Sequence, residues 1–109
     1  MRVLRFNVDG QMIAQDPTCD FSGLVPGSKG YLLAEFSFSS DWDGAIKVAS
    51  FYSALGKEYP PQVLKDGKTC LIPEEALKKR VFKIQVIGKK NGLKITTNKV
   101  AVNQDGGRT

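Results

Sequence analysis

Residues 31–52 hold two apolar-patterned runs joined by an Asp-Trp-Asp-Gly turn, and this pattern leaves the chain little choice but β-structure. Leu32, Ala34, Phe36 and Phe38 fall on one parity, and Tyr31, Glu35, Ser37 and Ser39 fall on the other. That period of two marks a strand with one face in a core. Residues 46–52, after the turn, are rich in β-branched and aromatic side chains, with Val48, Phe51 and Tyr52 as packing candidates. Asp and Gly beside the only tryptophan, Trp42, are ordinary turn residues, so the indole is expected to fold over a core shared with Phe51.

The alternation recurs along the chain. In residues 2–8, Leu4, Phe6 and Val8 oppose Arg5 and Asn7; Asp9-Gly10 then supplies a tight turn and residues 11–14 return. In residues 81–88, Phe82, Ile84 and Val86 oppose Lys83 and Gln85. Asn91-Gly92 is the strongest hairpin signal, and residues 93–97 and 100–103 close the sheet. Pro17, Gly23, Pro26, Gly27 and Gly30 make residues 15–30 a long loop, with a short strand expected around 21–25. Tyr59-Pro60-Pro61 reads as an extended edge or loop, and residues 62–64 and 68–72 as a hairpin about Asp66-Gly67. Pro73, then Glu74 and Glu75, then Lys78 and Lys79 order proline, acids and bases as a short helix does. Seven to nine short strands predict an all-β, single-domain antiparallel β-sandwich over residues 1–103, with a barrel as second choice. One short helical turn is expected near 74–79, and residues 104–109 read as a flexible C-terminal tail.

A length of 109 residues suits one core and is too short for two. No apolar run approaches the roughly 20 residues of a membrane helix, and MRVLRFNVDG lacks a signal-peptide core, so synthesis in the cytosol is expected. Cys19 and Cys70 are then expected to stay reduced and unpaired. Histidine is absent, which removes the commonest general base and the commonest metal ligand together. Gly23, Gly27 and Gly30 lack the strand-to-helix context of a phosphate loop, and no serine has an activating partner in the sequence. Asp41 and Asp43 flank Trp42 within one tight turn, where two carboxylates need not converge. No catalytic residue, metal ligand or cofactor is expected, and the chain reads as a non-enzyme.

Charge is unevenly placed. Of a net +5, Lys78, Lys79, Arg80, Lys83, Lys89, Lys90, Lys94 and Lys99 lie in residues 76–104, a span without one acid. Lys78, Lys79 and Arg80 at a strand end, and Lys89 and Lys90 at a hairpin tip, are the candidate partner-contact residues. Phe82 falls on the apolar parity among these lysines, so base stacking is not expected and any nucleic-acid affinity should be generic and salt-sensitive. A nucleic-acid-binding or host-interaction protein using this basic half is one alternative. A cell-wall carbohydrate-binding module using Trp42, Tyr31, Tyr52 or Tyr59 is another.

FSFSSDWDG, Lys47, Ala49-Ser50-Phe51, then Cys70-Leu71-Ile72-Pro73-Glu74-Glu75-Ala76-Leu77, a strand over 82–88, and Thr96-Thr97-Asn98 before Val100 and Val102 together resemble a bacteriophage pattern. The pattern is similar to the siphophage tail and baseplate β-sandwich, as in N-terminal domains of upper-baseplate proteins and domains of lactococcal-phage receptor-binding proteins. It spans residues 31–103. The resemblance implies a non-enzymatic structural protein that contacts other tail or baseplate proteins, or a host protein, with no specific nucleic acid and no membrane. It implies residence in the host cytoplasm during synthesis and then in the virion tail. No receptor-binding or coiled-coil region follows in this sequence, so an accessory tail role, or a role outside the virion, is expected.

Overall fold

The computed structural model of the chain describes residues 1–105. Within them nine strands form two sheets: β1 (Arg2–Asp9), β2 (Met12–Gln15), β3 (Leu32–Phe38), β4 (Ile46–Ser53), β5 (Gln62–Val63), β6 (Thr69–Leu71), β7 (Val81–Lys90), β8 (Leu93–Thr96) and β9 (Val100–Asn103). One sheet has the order β2-β1-β3-β6; the other runs β5-β4-β7-β8, with β9 also paired to β7. The fold is an all-β sandwich, and the expected helical turn is present at Glu74–Leu77.

Alternation in the sequence becomes the core. Leu4, Phe6 and Val8 of β1 and Leu32, Ala34 and Phe36 of β3 are buried in one cluster with Ala49 and Phe51 of β4 and Phe82, Ile84 and Val86 of β7. Burying one such large apolar side chain contributes about 1.5–3 kcal/mol, so these alternating positions supply the main drive for closing the sandwich. Aromatic rings continue from Phe21 through Phe6, Phe36 and Phe38 to Trp42, with successive centroids 5.4, 5.5, 6.0 and 5.2 Å apart. Trp42 ends a 3-10 turn (Ser40–Trp42), is fully buried with Phe51 in the same cluster, and donates its indole N–H to Gly10 O at 2.9 Å.

Four expectations about the strands need correction. First, β1 and β3 run parallel, from Arg2↔Leu32 to Val8↔Phe38, within an otherwise antiparallel pair of sheets. A parallel neighbour needs a crossover of a dozen or more residues, which the loop between β2 and β3 provides. Second, that loop has no strand at 21–25. Its backbone is held instead by a β1 side chain and the short helix: the Arg2 guanidinium donates to Asp20 O and Ser22 O, and Gly27 N–H donates to Leu77 O.

Third, β5 and β6 are not a hairpin, because β5 pairs with β4 and β6 with β3. The Asp66 carboxylate takes the Lys68 and Thr69 amides and the Thr69 hydroxyl, and the chain arches from one sheet to the other. Fourth, Val48 and Tyr52 lie on the parity opposite to Ala49 and Phe51 and point away from the core.

One side of the sandwich is sewn shut by amide side chains. Asn98 Oδ1 accepts from Ile13 N–H at 2.7 Å, and Asn98 Nδ2 donates to Ile13 O at 3.3 Å, so its carboxamide acts as a missing strand residue beside β2. Gln11 Nε2 donates to Thr96 O and Gln15 Nε2 to Ala101 O along the same seam. Gln104, assigned by sequence to the tail, is fully buried, and its Nε2 donates to Leu77 O and Lys79 O. Residues 106–109 of the expected tail lie outside the described residues.

Candidate partner-contact face

β7 is the central strand of its sheet, and its parity decides what the sheet shows to solvent. Phe82, Ile84 and Val86 point inward, so Val81, Lys83, Gln85, Ile87 and Lys89 point outward. Register extends this outward set across the neighbours. Lys83 lies between Tyr52 and Ala101, Gln85 beside Ser50, Ile87 between Val48 and Thr96, and Lys89 between Ile46 and Lys94. Val63 of β5 pairs with Val48 and lengthens the Ile87 row. The face is thus a Val63-Val48-Ile87 apolar row with lysines toward both ends, and its acid is the exposed Glu58, bridged opposite Tyr52 at the Lys83 end.

Its polar groups hold each other in place. The Tyr52 hydroxyl donates to Gln85 Oε1 at 2.9 Å, and Gln85 Nε2 donates to Thr97 O at 2.8 Å. The Lys99 ammonium lies 3.9 Å from the Tyr52 ring centroid, a cation–π contact that places a fourth positive charge on this face. Asn91 (φ 47°) and Gly92 (φ 78°) both take the left-handed conformation of a two-residue hairpin turn. That turn fixes Lys90↔Leu93 and Lys89↔Lys94.

The five residues singled out from sequence do not form one patch. Lys78, Lys79 and Arg80 precede β7, whereas Lys89 and Lys90 end it, and the strand residues 81–88 between them separate the groups by roughly 30 Å. Lys78 and Lys79 line a hollow of about 290 Å³ with Lys57, Glu58 and Glu75, so positive and negative groups are mixed there. Lys90 falls on the inward parity, and its ammonium donates to Asp43 O at 2.7 Å. Only Lys89 of the five belongs to the outward set. Lys83, Lys94, Lys99 and Tyr52 complete it. Odd-numbered parity along 83–89 and the Asn91-Gly92 register carried that signal for Lys83 and Lys94; Lys99, in a connection between strands, had none.

The remaining chemistry-bearing groups have structural duties. Hydrogen bonds from Thr18, Ser22 and Thr69 lower the carboxyl pKa values of Asp16, Asp20 and Asp66 respectively. Burial pushes the Cys70 thiol up to about 12, and both cysteines are free. Cys19 Sγ accepts the Arg5 N–H at 3.4 Å, beside the part of β1 that β2 does not reach. Trp42 is buried and is not a platform for sugar. Among the described residues no three His, Cys, Asp or Glu side chains gather as a metal site, and no helix is long and apolar enough to cross a membrane.

Compared with known proteins, the chain matches no family model, no curated protein and no solved structure.

Proposed function

We propose that this chain is a non-enzymatic phage structural protein of the tail or baseplate kind, acting through protein–protein contacts. Its contact surface is the outer face of the β4–β7 sheet. One observation carries the contact reading: an apolar row flanked by Lys83, Lys89, Lys94 and Lys99, with four lysines against the single bridged acid Glu58. Such a face has apolar area to bury and a positive rim to steer an acidic partner. The resemblance of residues 31–103 to siphophage β-sandwiches supports the phage setting. The partner is a tail or baseplate protein, or a host protein met in the cytoplasm where the chain is made.

Nucleic acid is the second reading, and Tyr52 between Lys83 and Lys99 favours it, because a base can stack on an aromatic ring among lysines. Against this, the Lys99 ammonium already covers the ring and Gln85 holds the hydroxyl. The test pairs mass spectrometry of particles purified from infected cells with a salt series of DNA and RNA binding. The protein reading expects the chain in particles, or in a defined complex with one host protein, and nucleic-acid affinity that falls steeply with salt irrespective of sequence. Sequence-selective binding at physiological ionic strength, without a protein partner, overturns it.

A further inference from the structure

Two of the most exposed aliphatic side chains flank the hairpin end of this sheet, Ile46 on the outward parity with Lys89 and Leu93 on the other parity with Lys90. Ile46, which opens β4, is 69% exposed, and Leu93, the first residue after the hairpin turn, is 61% exposed. Both line one shallow hollow of about 440 Å³, together with Lys89, Lys90 and Lys94. The lining holds no carboxylate, and no salt bridge among the described residues includes these lysines. Lys89 and Lys94 stand directly opposite each other across the ladder. Like charges so placed destabilise a sheet, and an anion lying between them reverses the sign.

We infer that this hollow docks an acidic peptide segment bearing an aliphatic or aromatic anchor. The anchor packs on Ile46 and reaches over the hairpin edge toward Leu93, and its flanking carboxylates meet Lys89 and Lys94. The inference rests on the reading of the chain as a protein-contact module and names the chemistry of the partner at one end of that face. Buried anchors inside a charged rim are the usual source of affinity in such contacts. A nucleic-acid strand fits less well because no aromatic ring lines the hollow. A bilayer fits less well because the hairpin crest is Asn91-Gly92 and the two aliphatic groups sit in a depression beside it.

The test titrates the full ¹⁵N-labelled chain with acetyl-Glu-Asp-Leu-Phe-Glu-Asp-amide and with the same peptide carrying Ser-Ser at its centre. Amide shifts should concentrate at Ile46 and residues 89–94, and the Ser-Ser peptide should bind at least about tenfold more weakly. Leu93→Ser should bring the Leu-Phe peptide down to the Ser-Ser level, and Lys89→Glu with Lys94→Glu should abolish both; all three sites are exposed, and unchanged spectra elsewhere report the fold. Equal binding of the two peptides, shifts spread over Lys78 and Lys79, or no shifts at all overturns the inference. So does tighter binding at these residues by an oligo-dT strand or by phosphatidylglycerol vesicles. Absence of the chain from phage particles leaves this titration standing, and a failed titration leaves a finding in particles standing.

Discussion

Gly88 and Trp42 are fitted to each other: a methyl group built on Gly88 would lie 2.7 Å from Trp42 Cζ3 and 2.8 Å from Cε3. Bare backbone at this point of β7 lets the indole pack under the sheet while its N–H reaches Gly10 O. Gly88→Ala is therefore expected to destabilise the fold by about 1–3 kcal/mol through overpacking. Trp42→Ala should cost about 3–5 kcal/mol, as large-to-small aromatic changes do. The double variant should lose less than the sum, because the clash disappears with the ring. Urea midpoints of the four proteins check this, and strict additivity would contradict the fit.

The amide seam gives a second expectation. Asn98→Ala leaves the Ile13 N–H and C=O without their partners and should cost about 1–3 kcal/mol. Asn98→Asp keeps the acceptor for Ile13 N–H but sets a carboxylate oxygen against Ile13 O, so the Ile13 amide should stay protected while stability still falls. Hydrogen exchange at the Ile13 amide reads the seam directly: it should quicken most in the alanine variant. Unchanged exchange in both variants would show that Asn98 does not close this side.

How much of this was legible beforehand follows from what each signal depends on. Period-two alternation at Leu4-Phe6-Val8, Leu32-Ala34-Phe36 and Phe82-Ile84-Val86 marks core strands because burial on one face is a local property of sequence. Sheet membership is not local. Residues 62–72 read as a hairpin since Asp66-Gly67 is a turn dipeptide, yet Asp66 captured the amides of Lys68 and Thr69 and sent the two arms to different sheets. The contact face suffered similarly: Lys78, Lys79 and Arg80 are near Lys83 in sequence, but a 10-residue strand carries Lys89 far from them. Lys99 joins the face only through its contact with Tyr52, 47 residues earlier, which no spacing reveals.

Acid should weaken the arch between β5 and β6. Three hydrogen bonds, led by the Thr69 hydroxyl, hold the Asp66 carboxyl at about 2 against its ordinary 3.8. A depressed carboxyl contributes stability that is present above 3.8 and is lost as pH falls through about 2. Asp66→Asn should lower stability at neutral pH and flatten that part of the acid profile. An NMR titration placing the Asp66 carboxyl at its ordinary value would contradict the account.

At alkaline pH the sign runs the other way for Cys70. Its buried thiol titrates at about 12 rather than 9.0, so the stability tied to the neutral thiol is complete below 9.0 and is lost as pH rises toward about 12. Cys70→Ala should remove that slope. Native chain should show Cys19 reacting with Ellman's reagent well before Cys70, and denatured chain should show both thiols. Equal native rates would place Cys70 outside the core.

The most direct test of the contact face is lysine-reactive cross-linking of purified phage particles, followed by mass spectrometry. The account predicts cross-links from Lys83, Lys89, Lys94 and Lys99 to one structural protein, while Lys29, Lys57, Lys65 and Lys68 react with the hydrolysing reagent alone. Cross-links that arise from the second set and spare the first, in particles or in a complex with a host protein from infected cells, would contradict it.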